Sequence, residues 1–119
     1  MKHRKDFTLP HCIIEHSSTI DGQQLNQKVF LGAMESQLFS PTGEDIKVRS
    51  LAYQHYQTGE VKEDFVHVSV RILSGRNESI KTMLSKSILD QLLTLPLSNA
   101  SLTVEIIDIE TSSYSKALV

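Results

Sequence analysis

Six side chains in this 119-residue sequence have the chemistry of a small-molecule site. Pro10 opens the run Pro10-His11-Cys12-Ile13-Ile14-Glu15-His16. A proline nitrogen is an inert tertiary amide inside a chain and a basic secondary amine at its start. The nine residues before Pro10 therefore decide whether it is a base or only a proline that starts a strand. Lys47 and Arg49 stand two apart in an alternating segment, so they share one strand face. Arg49 is equally suited to an intersubunit salt bridge. Arg76 precedes Asn77, a good helix N-cap, and a helix start already favours an anion through its exposed N–H groups. A guanidinium there can grip a carboxylate with two parallel bonds, or simply lie solvated in a loop.

His11 and His67 complete the group. They share a face with each other but not with His16, and no third ligand has convincing spacing, so no metal site is expected. A structural or interface hydrogen bond is the safer reading of both, although His11 adjoins Pro10 and can influence its proton affinity. Glu15 is expected to pair with a neighbouring basic residue. Cys12, the lone cysteine, reads as a small buried hydrophobe.

The elements that must position these groups follow from periodicity. A strand is expected over residues 10–16, then a turn cluster, then a helix capped by Asp21, with Gln24 in capping-box position. Leu25, Val29 and Ala33, with Phe30, Met34 and Leu38 one turn offset, form its apolar side. That helix should stop before Ser40-Pro41-Thr42-Gly43. A second strand over 46–56 puts Ile46, Val48, Ser50 and Ala52 on one face and Lys47, Arg49, Leu51 and Tyr53 on the other. The third, over 65–73, lines one face with Val66, Val68, Val70 and Ile72, and the opposite one with Phe65, His67, Ser69 and Arg71. A second helix after Asn77 carries Ile80, Met83, Leu84, Ile88 and Leu92, and a last strand spans 102–109.

The order is β-α-β-β-α-β, and its halves resemble each other. Asp21 and Asn77, His11 and His67, Ile46 and Leu102, and Val48 and Val104 are each separated by 56 positions. Within the helices the offset is 55, as for Val29 and Leu84 or Pro41 and Pro96. This predicts an α+β fold: a pseudo-repeat of two βαβ units forming one four-stranded sheet. Right-handed crossovers place both helices on one face. The other face mixes Ile13, Leu51, Tyr53, Phe65 and Leu73 with His11, Arg49, His67, Arg71 and Glu105. That is too apolar for water and too polar for a dry core, so self-association through it is expected. Residues 1–9 read as an N-terminal extension, 10–109 as the domain and 110–119 as a patternless tail.

Composition narrows the function classes. Hydrophobic residues make up 39% and charged residues 22%, with a net charge of −2 and a pI near 6.2. That is one ordinary globular domain and a poor match to a nucleic-acid binder. No apolar run approaches the ~20 residues of a membrane span. The basic Lys2-His3-Arg4-Lys5 run, broken by Asp6 with no apolar segment following, reads as a solvated tail rather than a signal peptide. A cytoplasmic setting is expected.

Pro10-His11-Cys12-Ile13-Ile14-Glu15, Phe65-Val66-His67-Val68 and Ser74-Gly75-Arg76, in this order and spacing, resemble the tautomerase superfamily. Within it they resemble the 5-carboxymethyl-2-hydroxymuconate isomerases, over nearly the whole of residues 10–109. The resemblance implies a homotrimer with sheets facing inward and sites near subunit boundaries, and no metal or organic cofactor. It implies proton transfer in an unsaturated 2-hydroxy or 2-oxo dicarboxylate from aromatic-acid catabolism, with an N-terminal proline, here Pro10, as general base. An unperturbed α-amino group titrates near ~7.7–8.0, and nearby cations or desolvation lower it toward working pH. Arg76 falls where the family binds substrate. Lys47 stands where the family has a second arginine, keeping the charge but losing the fork, and Arg49 can substitute.

Within the 119-residue chain the Pro10 nitrogen is an amide. Three explanations compete: the start lies at Leu9, read from a UUG codon, with the initiator Met then removed; the leader is cleaved; or the leader is genuine and the protein silent. The first is favoured, because residues 1–9 have no counterpart in the half-repeat or the family pattern. Val66, the half-repeat counterpart of Pro10, is mid-chain, so one site per subunit is expected. Two other readings remain at this level. One is a non-catalytic trimeric binding protein of the same fold, and the other is a ferredoxin-like regulatory ligand-binding domain. An RNA-binding version lacks aromatic stacking residues on the sheet.

Overall fold

The computed structural model describes residues 9–119, so the extension over 1–9, Leu9 apart, lies outside the described residues. The alternating segments form β1 (His11–Ser17), β2 (Lys47–Tyr53), β3 (Asp64–Leu73) and β4 (Ala100–Ile109). The 3.6-periodic ones form α1 (Gly22–Glu35) and α2 (Glu78–Leu92). The sheet order is β2-β1-β3-β4, with β1–β2 and β3–β4 parallel and β1–β3 antiparallel. This is the expected βαββαβ architecture. The half-repeat is built into the register: His11 lies opposite Lys47 and His67 opposite Thr103, and every later pair in β1–β2 recurs 56 positions on in β3–β4.

Both helices cover the same sheet face. Val66, Val68 and Val70 of β3, Cys12 and Ile14 of β1, and Leu25, Val29, Leu84, Ile88 and Leu92 of the helices are fully buried in one core. Each aliphatic side chain so buried stabilises by about 1.5–3 kcal/mol against an exposed reference. The helices meet closely at Gly32, where an added Cβ would lie 2.6 Å from the Ile88 Cα. Ser87 Oγ donates to the Gly32 carbonyl across this contact, at 2.7 Å.

The caps form at Asp21 and Asn77, which accept from Gln23 N and Ile80 N, each at 2.9 Å. Asp21 takes the Gln23 N–H rather than the Gln24 N–H of a capping box. Several boundaries differ from the sequence expectation. The first helix ends at Glu35 because Gln37 adopts a left-handed conformation (φ 59°), which leaves Leu38 beyond it but still packed against the core. β2 stops at Tyr53, opposite the end of β1, its only strand partner among the described residues. β4 begins at Ala100, matching the full length of β3. Met83, expected on the apolar stripe, is 41% exposed.

Candidate active site

The site is built where β1 begins, β2 begins and β3 ends. Parallel pairing puts His11 beside Lys47, and antiparallel pairing puts it beside Arg71. Period-2 alternation then aims His11, Lys47, Arg49 and Arg71 at the sheet face that the helices leave open. Arg49 donates an N–H to His11 Nδ1 at 3.2 Å. On its other side His11 Nε2 lies 3.2 Å from the Tyr114 hydroxyl, which the chain brings back from beyond β4 by a short 3-10 turn at Thr111–Ser113.

The electrostatics are one-sided. Burial lowers the proton affinity of His11 below the ordinary histidine value. Arg49, Lys47, Lys116 and Arg71, in decreasing order, push it further the same way. Lys116 is itself lowered, first by desolvation and then by Lys47, with Asp45 opposing. Lys47 Nζ donates to the Asp45 carbonyl at 3.1 Å. Four cations therefore converge on one neutral imidazole, an arrangement suited to an anionic ligand. Cys12 takes no part: burial pushes its thiol up to about 12, far from a reactive thiolate.

The second half-repeat carries the opposite charge. Lys47 corresponds to Thr103 and Arg49 to Glu105. Arg71, opposite His11, corresponds to Glu15, opposite His67. His67 Nε2 lies 2.7 Å from Glu105 Oε2 and its Nδ1 2.7 Å from Thr103 Oγ1. The His67 hydrogen bond, ahead of other effects, holds the Glu105 carboxyl below its usual range. One end of the open face is thus basic and the other acidic. Glu15 departs from its expected pairing with a cation: its Oε2 accepts from the Tyr53 hydroxyl at 2.8 Å.

Of the residues singled out in the sequence, His11, Lys47 and Arg49 come together. Arg76 sits at the same end of the sheet, in the β3–α2 loop, with Nη2 3.5 Å from the Leu38 carbonyl, half-buried against the segment that follows α1. The Pro10 ring is fully buried and Leu9 is only 3% exposed. The Pro10 carbonyl accepts from Lys47 N at 3.1 Å, extending the β1–β2 ladder to the proline. Sequence reasoning missed Tyr114 and Lys116 and placed Arg71 on the face without a role. The available signal was that the tail holds one aromatic residue and one cation in an otherwise small, polar and aliphatic stretch.

Comparison with known proteins follows the same outline. The sequence pattern of the 5-carboxymethyl-2-hydroxymuconate isomerase family matches residues 10–116 and so takes in Tyr114 and Lys116. A crystal structure of a 5-carboxymethyl-2-hydroxymuconate isomerase from Deinococcus radiodurans R1 superposes with a TM-score of 0.73 at 21% identity, over 91% of this chain and 88% of that one. A 5-carboxymethyl-2-hydroxymuconate delta-isomerase gives 0.68 at 17% identity, over 97% and 91%. A fused 4-OT, a symmetric trimer, gives 0.67 at 19%, over 90% and 93%. At these identities the superpositions establish the fold. No curated protein matches the sequence.

Proposed function

Because this chain belongs to the 5-carboxymethyl-2-hydroxymuconate isomerase family, we propose that it is a tautomerase. In this reading it moves a proton within an unsaturated 2-hydroxy/2-oxo polycarboxylate, with Pro10 as base. The single observation carrying this reading is the convergence of Lys47, Arg49, Arg71 and Lys116 on His11, one residue from Pro10. The compound that gives the family its name has three carboxylates, and a surplus of cations suits such an ion.

The reaction requires residues 1–9 to be absent, so that the domain starts at Pro10. Pro10 nitrogen then takes the proton of the 2-hydroxyl. The oxygen's electron pair forms C2=O, the C2=C3 electrons move to C3=C4, and the C4=C5 electrons take the proton back from the prolinium at C5. Lys47, Arg49 and Arg76 hold the carboxylates, and the cations favour the neutral amine by opposing its protonation. Leu9 is buried against this end, so its removal opens space beside the Pro10 nitrogen.

Self-association through the open sheet face belongs to the same proposal, as a homotrimer. It is supported by Leu51, 55% exposed there, and by the trimeric 4-OT relative. The burial of Leu9 favours a second reading for the chain that retains its leader: a non-catalytic trimer whose amine is blocked and whose cationic end binds the anion. The family match displaces the ferredoxin-like regulatory domain.

The test compares chains 1–119 and 10–119 by ultraviolet absorbance as the conjugated dienol is converted to the 2-oxo-3-ene. Only the chain beginning at Pro10 should turn it over, with a difference of at least about 100-fold, the usual lower contribution of a positioned base. Equal rates would remove Pro10 from the mechanism.

A further inference from the structure

We infer that Tyr114 is a catalytic residue, whose hydroxyl donates a hydrogen bond to the substrate oxygen at C2. The inference rests on the proposed function for the identity of that oxygen and on hydrogen-bond logic for the rest. A guanidinium has only donors. Since Arg49 donates to His11 Nδ1, that nitrogen is the acceptor, and in the neutral imidazole the proton sits on Nε2. His11 is kept neutral by its surroundings, because burial and four cations oppose a further proton. Nε2–H therefore donates to the Tyr114 oxygen at 3.2 Å. The Tyr114 hydrogen is then directed away from His11, and His11 is the one hydrogen-bond partner of this hydroxyl among the described residues.

Its position fits the role. Tyr114 is half-buried at the cationic end of the sheet, beside the histidine that adjoins Pro10. Lys116, two residues on, acts electrostatically on the same imidazole. The Arg49–His11–Tyr114 relay ends in a neutral donor, whereas Lys47, Arg49, Arg71 and Lys116, the groups that bear on His11 from around it, are cations suited to carboxylates. Charge develops on the C2 oxygen when its proton leaves for Pro10, and a donor already held by the Arg49–His11 pair can stabilise it without first reorganising. Tyr114 keeps its own proton throughout: the transferred proton goes from the oxygen to Pro10 and on to C5. The half-repeat has no equivalent, since Thr103 and Glu105 occupy His67 instead.

Binding of adipate and 2-oxoadipate to the full chain isolates this contact from catalysis. The two dicarboxylates differ by the oxygen that Tyr114 should recognise. Wild type should bind 2-oxoadipate about five- to tenfold more tightly by calorimetry, as expected for one net hydrogen bond. Tyr114→Phe, which keeps the ring and loses only the hydroxyl, should bind both alike while retaining its affinity for adipate. Persistence of the preference in Tyr114→Phe, equal binding of the two compounds by wild type, or binding of neither overturns the inference. Failure of the catalytic reading looks different: no turnover by chain 10–119, with the Tyr114-dependent preference intact.

Discussion

Alanine in place of Gly32 should destabilise the protein, although glycine to alanine inside a helix is ordinarily favourable by about 1 kcal/mol. An added Cβ would stand 2.6 Å from Ile88 Cα, 3.0 Å from the Ser87 carbonyl oxygen and 3.1 Å from Ile88 Cγ1. Two of those atoms are backbone and cannot rotate away, so α1 and α2 must move apart. Overpacking of that kind costs about 1–3 kcal/mol. Separation also stretches the 2.7 Å bond from Ser87 Oγ to the Gly32 carbonyl, worth about 1 kcal/mol net. The lost contact and the lost bond outweigh the gain in propensity, leaving a net loss of about 1–3 kcal/mol. Urea denaturation followed by circular dichroism reads this directly, at one protein concentration so that any self-association acts equally on both proteins. Leu31→Ala, at a position 45% exposed, is the control and should stay within about 0.5 kcal/mol of wild type. A Gly32→Ala protein as stable as wild type, or more so, would refute the close helix contact.

Two further outcomes concern the site. Under the proposed function Lys47→Ala and Arg76→Ala each remove a charged donor from a substrate carboxylate, worth about 1.5–3 kcal/mol, so kcat/KM of chain 10–119 on the dienol should fall about 10- to 100-fold. An unchanged kcat/KM for Arg76→Ala removes it from the site. His11 holds a proton less tightly than the ordinary 6.5, so the unfolded chain binds that proton better and the folded state loses stability as pH falls below about 6.5. Thermal scans between pH 7.5 and 5 should show a shallower loss in His11→Gln than in wild type, and identical slopes would contradict the neutral His11.

The parts of the fold that local rules control were legible in the sequence. Alternation alone divides Lys47 and Arg49 from Val48 and Ser50, and Val66, Val68 and Val70 from His67 and Ser69. Those divisions hold, because a one-residue slip would turn each apolar set to the open face. The caps at Asp21 and Asn77 were equally readable, as was the 56-position repeat that the strand register reproduces. Features set by long-range contacts were hidden. Gly32 reads as a weak helix residue until Ile88 is placed against it. Gln37 gives no warning of a left-handed turn. Glu15 offers a charge, and only the β1–β2 register supplies the Tyr53 hydroxyl that satisfies it. Tyr114 lies 103 positions from His11, in a tail without periodicity, so no local pattern could have joined them. The repeat itself was visible, and its 56-position offset already sets Glu105 in the place of Arg49, but only the structure shows Glu105 hydrogen-bonded to His67 where Arg49 donates to His11.

Under the proposed function the Leu9–Pro10 peptide bond separates an enzyme from a binding protein on the same fold, and the N-terminus of the active protein purified from its natural source reports on that bond directly. Intact-mass and N-terminal sequencing should find a chain whose first residue is Pro10. An active protein that begins at Met1 and retains residues 1–9 would contradict proton transfer through the Pro10 amine.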